Sequence, residues 1–205
     1  MYTHHLIPVI PFEETVMMYG ERSHLYDTNG KKFLDLNAGQ FCTVLGHANP
    51  DIQNSIWASI SRLAHTSTSI VSADVISCSN NIHRISGDMR AFSILLSTGA
   101  EVVEFCLRYA KFIQKKNGII CFDKGYHGLT LGAQSVTFSG AHARPSVAEI
   151  YNIPIPTKDD TQTSIECLKE ILTINSVAAI LLEPIVSVGG MLFPPAEWFQ
   201  EVRQI

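Results

Sequence analysis

The sequence predicts an α/β protein built on a mainly parallel sheet. Short apolar runs of strand length, Phe92–Leu96, Gly118–Phe122, Ile150–Ile155 and Val177–Leu182, alternate with stretches of helical periodicity, the pattern of strand–helix–strand units. Polar clusters follow three of the runs directly: Thr98 and Gly99, then Tyr126 and His127, then Glu183. In parallel sheets ligands collect at the carboxyl ends of strands, so three clusters at equivalent topological points mark a candidate site.

Bulk properties narrow the classes. The 205 residues are 46% hydrophobic and 17% charged, a core-rich balance sufficient for one large domain or one domain and a smaller lobe. A net charge of −4 without a basic run argues against nucleic-acid binding. The longest apolar run, Val177–Leu182, is too short to span a bilayer. No basic segment followed by an apolar stretch opens the chain, so no signal peptide is read. Five scattered cysteines, Cys42, Cys78, Cys106, Cys121 and Cys167, are expected to be reduced core thiols, not a disulfide frame or a zinc site. A cytoplasmic setting is expected, with a mitochondrial one as the alternative.

Taken in order, residues 8–36 read as strand and turn. His24–Asp27 and Phe33–Leu36 flank Asn29-Gly30, a tight-turn signal. Residues 36–46 are irregular. Asn49 and Pro50 supply an N-cap and a first-position proline for a helix whose apolar face is Ile52, Ile56, Ile60 and Leu63. Residues 64–74 form a loop rich in Ser and Thr, and a helix follows over 73–85. Phe92–Leu96 then runs as a strand into Ser97-Thr98-Gly99, and a helix begins at Ala100 with Val102, Cys106, Tyr109, Ala110 and Ile113 on its apolar face and Glu101 and Glu104 in its first turn. After Gly118–Phe122 comes a loop, Asp123 to Gly128, and residues 129–148 are irregular. Thr163 with Glu166 reads as a capping box for a helix carrying Ile165, Leu168 and Leu172. Glu183-Pro184 ends the last strand, and Pro194 and Pro195 open a final helix with Trp198, Val202 and Ile205 on one side.

The small-residue turn at Thr98-Gly99 points backbone N–H groups at one spot in front of a helix, an arrangement suited to an anion. Gly99 lets a phosphate approach the backbone, and the Thr98 hydroxyl adds a hydrogen bond. On its own, such a turn is more often an ordinary strand–helix connection.

Five segments occur together in order: Tyr26-Asp27-Thr28-Asn29-Gly30-Lys31-Lys32-Phe33-Leu34-Asp35, Leu45-Gly46-His47-Ala48-Asn49-Pro50, Ser97-Thr98-Gly99-Ala100-Glu101, Gly125-Tyr126-His127-Gly128, and Glu183-Pro184-Ile185. Through them nearly the whole chain resembles the class III aminotransferases, pyridoxal-phosphate enzymes of fold type I. Gly39-Gln40, together with Ser187 and Gly189-Gly190 after Glu183-Pro184-Ile185, resembles the dialkylglycine decarboxylase-like members. The resemblance implies a three-layer large domain with a mainly parallel sheet, incomplete at its C-terminus, over residues 49–205. Residues 1–48 would hold small-domain strands and a linker. It implies pyridoxal 5'-phosphate as cofactor, with Thr98, Gly99 and Ala100 on the phosphate, Tyr126 stacked on the pyridine ring, His127 beside it and Glu183 behind it. Gln40 would lie near the substrate carboxylate. Asp35 and His47 would organise local structure, and Ser72 aligns with a cation-site serine. Amino acid and keto acid substrates and a homodimer are the implied partners, with no nucleic acid or membrane.

The resemblance also implies what the chain lacks. The family's chemistry needs a lysine that forms a Schiff base with the cofactor aldehyde and an aspartate, within Asp-Glu-x-x-Thr-Gly, that pairs with the ring nitrogen. Both follow the Glu-Pro-Ile segment in the family, and neither is among these 205 residues. The expectation is a transaminase, or a decarboxylase of the dialkylglycine type, presented without its second half and inactive alone. The alternative is a non-catalytic remnant that binds or dimerises. Few of its strands are expected to be neighbours, since family order places later strands between them.

Overall fold

The computed structural model describes residues 13–87, 92–138 and 149–205. By contacts the chain divides into two compact units, residues 1–93 and 94–205. The expected irregularity of residues 139–148 and the start of the 8–36 segment lie outside the described residues.

In the first unit, strands β1 (Met17–Glu21), β2 (His24–Asp27) and β3 (Lys32–Leu34) form an antiparallel meander in that order. The β2–β3 turn is the predicted one. Asp27 Oδ1 accepts hydrogen bonds from the backbone N–H groups of Asn29 and Lys31, both at 2.8 Å, and Gly30 takes a positive φ of 78° that suits glycine. After β3, Asp35 Oδ1 accepts from the N–H groups of Asn37 and Ala38 at 3.0 Å each. Its Oδ2 lies 2.7 Å from His47 Nε2. The hydrogen bond from His47, set against burial and aided by these two backbone donors, holds the Asp35 carboxyl below its ordinary value.

This pair braces a feature the sequence does not announce. The single turn α1 (Ala38–Phe41) is left-handed, with φ of 48°, 58°, 57° and 67° at its four residues, a geometry unfavourable for L-residues. Gln40 sits within it. Helix α2 (Pro50–Arg62) begins as predicted, with Asn49 Oδ1 accepting from Asp51 and Ile52 N–H. Helix α3 (Ala73–Ser86) is N-capped by Ser72, whose hydroxyl accepts from Val75 N–H; that is the role the structure gives Ser72. Arg62 and Asp74 tie α2 to α3.

In the second unit, β4 (Gly118–Phe122) lies between β5 (Glu149–Ile153) and β6 (Val177–Leu181), all parallel. Three of the four predicted strands are therefore direct neighbours, and the expectation of few neighbours is corrected. No strand forms at Phe92–Leu96: the segment has no regular structure and no strand partner among the described residues, and Phe92 is 97% exposed. An apolar run becomes a strand only when a neighbour takes its N–H and C=O groups, and among the described residues no strand lies alongside it.

All five residues of β4 are buried because the period-two alternation of a strand sends its side chains to two covered faces. Ile120 and Phe122 join Ile153, Ile165, Leu168, Val186 and Trp198 on one side, under α6 (Gln162–Ile174) and α7 (Ala196–Gln204). Ile119 and Cys121 join Leu107 and Val136 on the other, against α4 (Gly99–Gln114) and the one-turn α5 (Leu131–Ser135).

The structure corrects several local expectations. Helix α4 is apolar on more than one side, and packing selects Leu107 and Val103 for the sheet. The predicted stripe of Val102, Cys106, Tyr109 and Ile113 is exposed. Thr163 does not cap α6. Instead its N–H donates to Asp160 Oδ1 at 3.0 Å, while Glu166 accepts from the Gln162 side chain. Asp160, three residues before Thr163, is the better-placed acceptor for the open N–H groups of a helix start. None of the five cysteines is in a disulfide, and only Cys121 is fully buried; Cys42, Cys78 and Cys106 are exposed. The first two lie on a turn and helix in which no residue is buried, so an apolar sequence neighbourhood did not mean a core position.

Candidate active site

The sheet order places β4 at a switch point. The chain leaves it for β5 on one side and returns to β6 on the other, and at such a point the loops after adjacent strands face one crevice. The loop after β4 holds Tyr126 and His127, and the segment after β6 carries Glu183. They meet: Tyr126 N–H donates to Glu183 Oε1 at 2.7 Å.

The start of α4 joins them. Gly128 has φ +130°, and a Cβ there would fall 2.7 Å from Ala100 Cβ and 3.1 Å from Ala100 Cα. The loop backbone thus rests directly on the first turn of α4. Thr98, Gly99, Ala100, Tyr126, His127 and Glu183, predicted from three separate motifs, are brought into one cluster by these two contacts. Gln40 is placed in the first unit, exposed, in its left-handed turn.

Thr98 and Glu101 form a reciprocal capping box. Thr98 Oγ1 accepts from Glu101 N–H at 3.2 Å, and Glu101 Oε2 accepts from the N–H groups of Ser97 and Thr98 at 3.0 Å each. The Thr-x-x-Glu spacing was visible in the sequence and signals this box. The box leaves the next two donors, Gly99 and Ala100 N–H, without a partner among the described residues. A Cβ on Gly99 would meet nothing within 4 Å. Two open N–H donors at the positive end of a sixteen-residue helix form an arrangement suited to an anion.

His127 and Glu183 flank Gly125. A Cβ on that glycine would lie 3.0 Å from His127 Nε2 and 3.3 Å from Glu183 Oε1. His127 Nε2 is buried without a hydrogen-bond partner among the described residues. Burial pushes the imidazole down from 6.5 to about 4, so it is neutral near pH 7. Burial raises the Glu183 carboxyl against the opposing pull of the Tyr126 and Ser187 N–H groups.

A pH dependence follows. The unfolded chain binds the His127 proton below 6.5 and the folded chain only below about 4. Stability is therefore lost as pH falls through that window, by about 1–2 kcal/mol once partial solvent exposure is allowed for. Glu183, with its raised folded value, works with the opposite sign and loses stability as pH rises. Urea unfolding across this window in the wild type and in His127→Gln isolates the His127 contribution. Equal slopes in the two proteins would contradict it.

Two residues beyond the sequence prediction hold the loop. Glu104 does not sit in the first turn of α4 as a dipole partner. It reaches α5, where Oε1 accepts from Gly132 N–H at 2.6 Å and Ala133 N–H at 3.3 Å. Burial raises its pKa, but hydrogen bonds from Thr130, Gly132 and Ala133 and the charge of Arg108 outweigh burial and lower it. Thr137, which is buried, accepts from His127 N–H at 2.8 Å. The only sequence signal for α5 was Thr130 before Leu131, and a single turn is too short to show periodicity.

Replacing Gly128 with alanine forces a methyl into Ala100 and a side chain into a left-handed backbone. A loss of about 1–3 kcal/mol is expected, measurable by urea unfolding. A neutral outcome would mean that the loop does not rest on α4.

The structure thus defines a parallel α/β unit in which a helix start, an aromatic loop and a strand-end carboxylate stand at one switch point. The aminotransferase class-III family model matches residues 12–205, and the chain belongs to that family, whose enzymes depend on pyridoxal phosphate. It is 30% identical over 193 residues to the mitochondrial acetylornithine aminotransferase of Saccharomyces cerevisiae, covering 89% of this chain and 45% of that protein. It is 27% identical to the 2-aminoadipate transaminase of Pseudomonas putida, covering 92% and 48%. The fold matches an omega-aminotransferase from Paracoccus denitrificans with a TM-score of 0.87 at 18% identity, over 98% of this chain and 52% of that one. It also matches the taurine:2-oxoglutarate aminotransferase of Bifidobacterium kashiwanohense, solved with PLP and glutamate, with a TM-score of 0.84 at 22% identity, over 100% and 50%. The chain spans about half the length of these relatives. Among the described residues no helix is long and apolar enough to cross a membrane.

Proposed function

We propose that this chain supplies the phosphate- and ring-binding part of a transaminase site, acting on an amino acid and a keto acid. The observation that carries the reading is the assembly of three distant motifs at one place, through the Gly128–Ala100 approach and the Tyr126–Glu183 hydrogen bond.

The residues present suit pyridoxal phosphate. Gly99 and Ala100 N–H, with the Thr98 hydroxyl, would receive the phosphate in the open space before α4. The half-exposed Tyr126 ring would cover a flat heteroaromatic face. The unpartnered His127 Nε2 lies beside the same loop. When bound, the cofactor supplies an electron sink for reaction at the amino-bearing carbon. The chain's own residues orient it: the capping box holds the helix start, Glu183 holds Tyr126, and neutral His127 adds no charge at the loop. Residues 1–48 would form small-domain strands and linker, and residues 49–205 the cofactor domain.

Amino-group transfer also needs a lysine that moves protons at that carbon. None of the chain's lysines stands in the family's context, and the resemblance puts that group in the part of the relatives' length that this chain does not span. A homodimer, in which the family's sites form between subunits, is proposed on the same ground. Decarboxylation of a dialkylglycine is the second reading. It rests on Gly39-Gln40, in the left-handed turn, and on Ser187 and Gly189-Gly190 after Glu183-Pro184-Ile185. The two relatives named above are transaminases, which supports the first.

The test is to add pyridoxal phosphate to the purified chain, record the absorption spectrum, then reduce with borohydride and map peptides. Saturable binding without a specific lysine adduct is the expected outcome. A single reduced lysine with turnover would show that the chain carries its own catalytic lysine. Absence of saturable binding would overturn the proposed function in favour of a non-catalytic fragment.

A further inference from the structure

We propose that Glu104 and Thr137 are positioning residues that, through the single turn α5, set the loop at Gly125–Gly128 in the conformation that faces the cofactor ring. The inference rests on the proposed cofactor site and extends it to two residues that hold its loop from behind.

The connections form a closed circuit. Glu104, on the second turn of α4, takes the Gly132 and Ala133 N–H groups, so the orphan donors at the start of α5 are satisfied by the helix that also receives the phosphate. A Cβ on Gly132 would fall on this carboxylate. Beyond the end of α5, Thr137 is 3% exposed and its hydroxyl meets three backbone groups. It accepts from His127 N–H at 2.8 Å and stands 3.1 Å from Gly128 O and 2.9 Å from Ala133 O. A hydroxyl has one proton and two acceptor lone pairs. It therefore receives the loop's N–H while its own proton serves the loop carbonyl and the helix carbonyl together. Phe138 N–H donates to Gly125 O at 2.6 Å, closing the other end of the loop. The four residues Gly125 to Gly128 are thus hydrogen-bonded at both ends to the segment behind α5, and α5 is bonded to α4. Tyr126 is the side chain of this loop left half-exposed. The loop's own length contains no regular structure, so nothing local dictates where that ring points.

The phosphate meets only the start of α4, whereas the ring meets the loop. Loss of the circuit should therefore weaken binding of the whole cofactor and spare inorganic phosphate. The variants are Thr137→Val, which keeps the shape and removes the hydroxyl, Thr137→Ser, which keeps the hydroxyl, and Glu104→Gln, which keeps one acceptor oxygen. Affinity for pyridoxal phosphate and for inorganic phosphate is measured on the full chain, with hydrogen exchange at the His127 amide. Thr137→Val is expected to weaken pyridoxal phosphate by at least about tenfold, to leave phosphate within about twofold, and to speed exchange at His127. Thr137→Ser should restore all three, and Glu104→Gln should fall between. Unchanged cofactor affinity and unchanged exchange in Thr137→Val would overturn the proposal, as would an equal loss of phosphate and cofactor, which marks general unfolding. If the wild-type chain binds no pyridoxal phosphate, the proposed function fails. The His127 amide then decides the circuit: faster exchange in Thr137→Val and recovery in Thr137→Ser support it, and unchanged exchange overturns it.

Discussion

Gly99→Val should leave the protein folded and remove its affinity for pyridoxal phosphate and for inorganic phosphate, by about a hundredfold or more. Gly99 is the first residue of α4, and a Cβ there meets no atom within 4 Å. Its φ lies outside the left-handed region, so a branched side chain brings no backbone strain. The substitution also restricts the unfolded chain, and stability should stay within about 0.5 kcal/mol of wild type. The branched side chain adds bulk at the helix start, beside the Gly99 and Ala100 N–H groups. Those are the donors left open by the Thr98–Glu101 box. Isothermal titration with both ligands, alongside urea unfolding, separates the two effects. Retained phosphate affinity in a folded Gly99→Val protein would place the anion elsewhere.

Trp198→Ala should cost about 3–5 kcal/mol. The indole is 1% exposed and fills the face of β4 under α7. It stands at 5.5 Å between ring centroids from Phe122 and at 5.2 Å, edge-on, from Phe199. Its Nε1 is buried with no hydrogen-bond partner among the described residues, a cost already carried by the native state. Trp198→Phe loses area but removes that orphan donor, and about 1–2 kcal/mol is expected. The comparison is best made by circular dichroism in urea, since the substitution removes a fluorophore. If Trp198→Ala cost no more than Trp198→Phe, α7 would not be docked on the sheet. The site would respond as well, because Val186, in the segment that follows Glu183, belongs to the same packed cluster.

Local chemistry was legible wherever it is written in consecutive residues. Asn49-Pro50 opens α2, Asn29-Gly30 turns β2 into β3, and Gly118–Phe122 and Val177–Leu181 are strands. The motifs at Thr98, Tyr126 and Glu183 carry the family and its cofactor in consecutive residues. The sequence also contained the Thr98–Glu101 box, which the phosphate reading of the same turn obscured.

What the sequence could not determine depends on which surfaces find partners. Phe92–Leu96 has strand composition but no strand beside it, and Val102, Tyr109 and Ile113 have helical spacing but face away from the sheet. Periodicity reports that a face is apolar; only packing decides whether that face is used. The left-handed turn at Gln40 is held by Asp35 and His47, twelve residues apart. The residues of the candidate site were legible as separate motifs and not as an arrangement. Its assembly depends on Gly128 touching Ala100, Tyr126 bonding Glu183, 57 residues away, and Glu104 and Thr137 fixing the loop between them. Those are contacts between separate elements, and the sheet order that places β4 between β5 and β6 is the physical reason they occur.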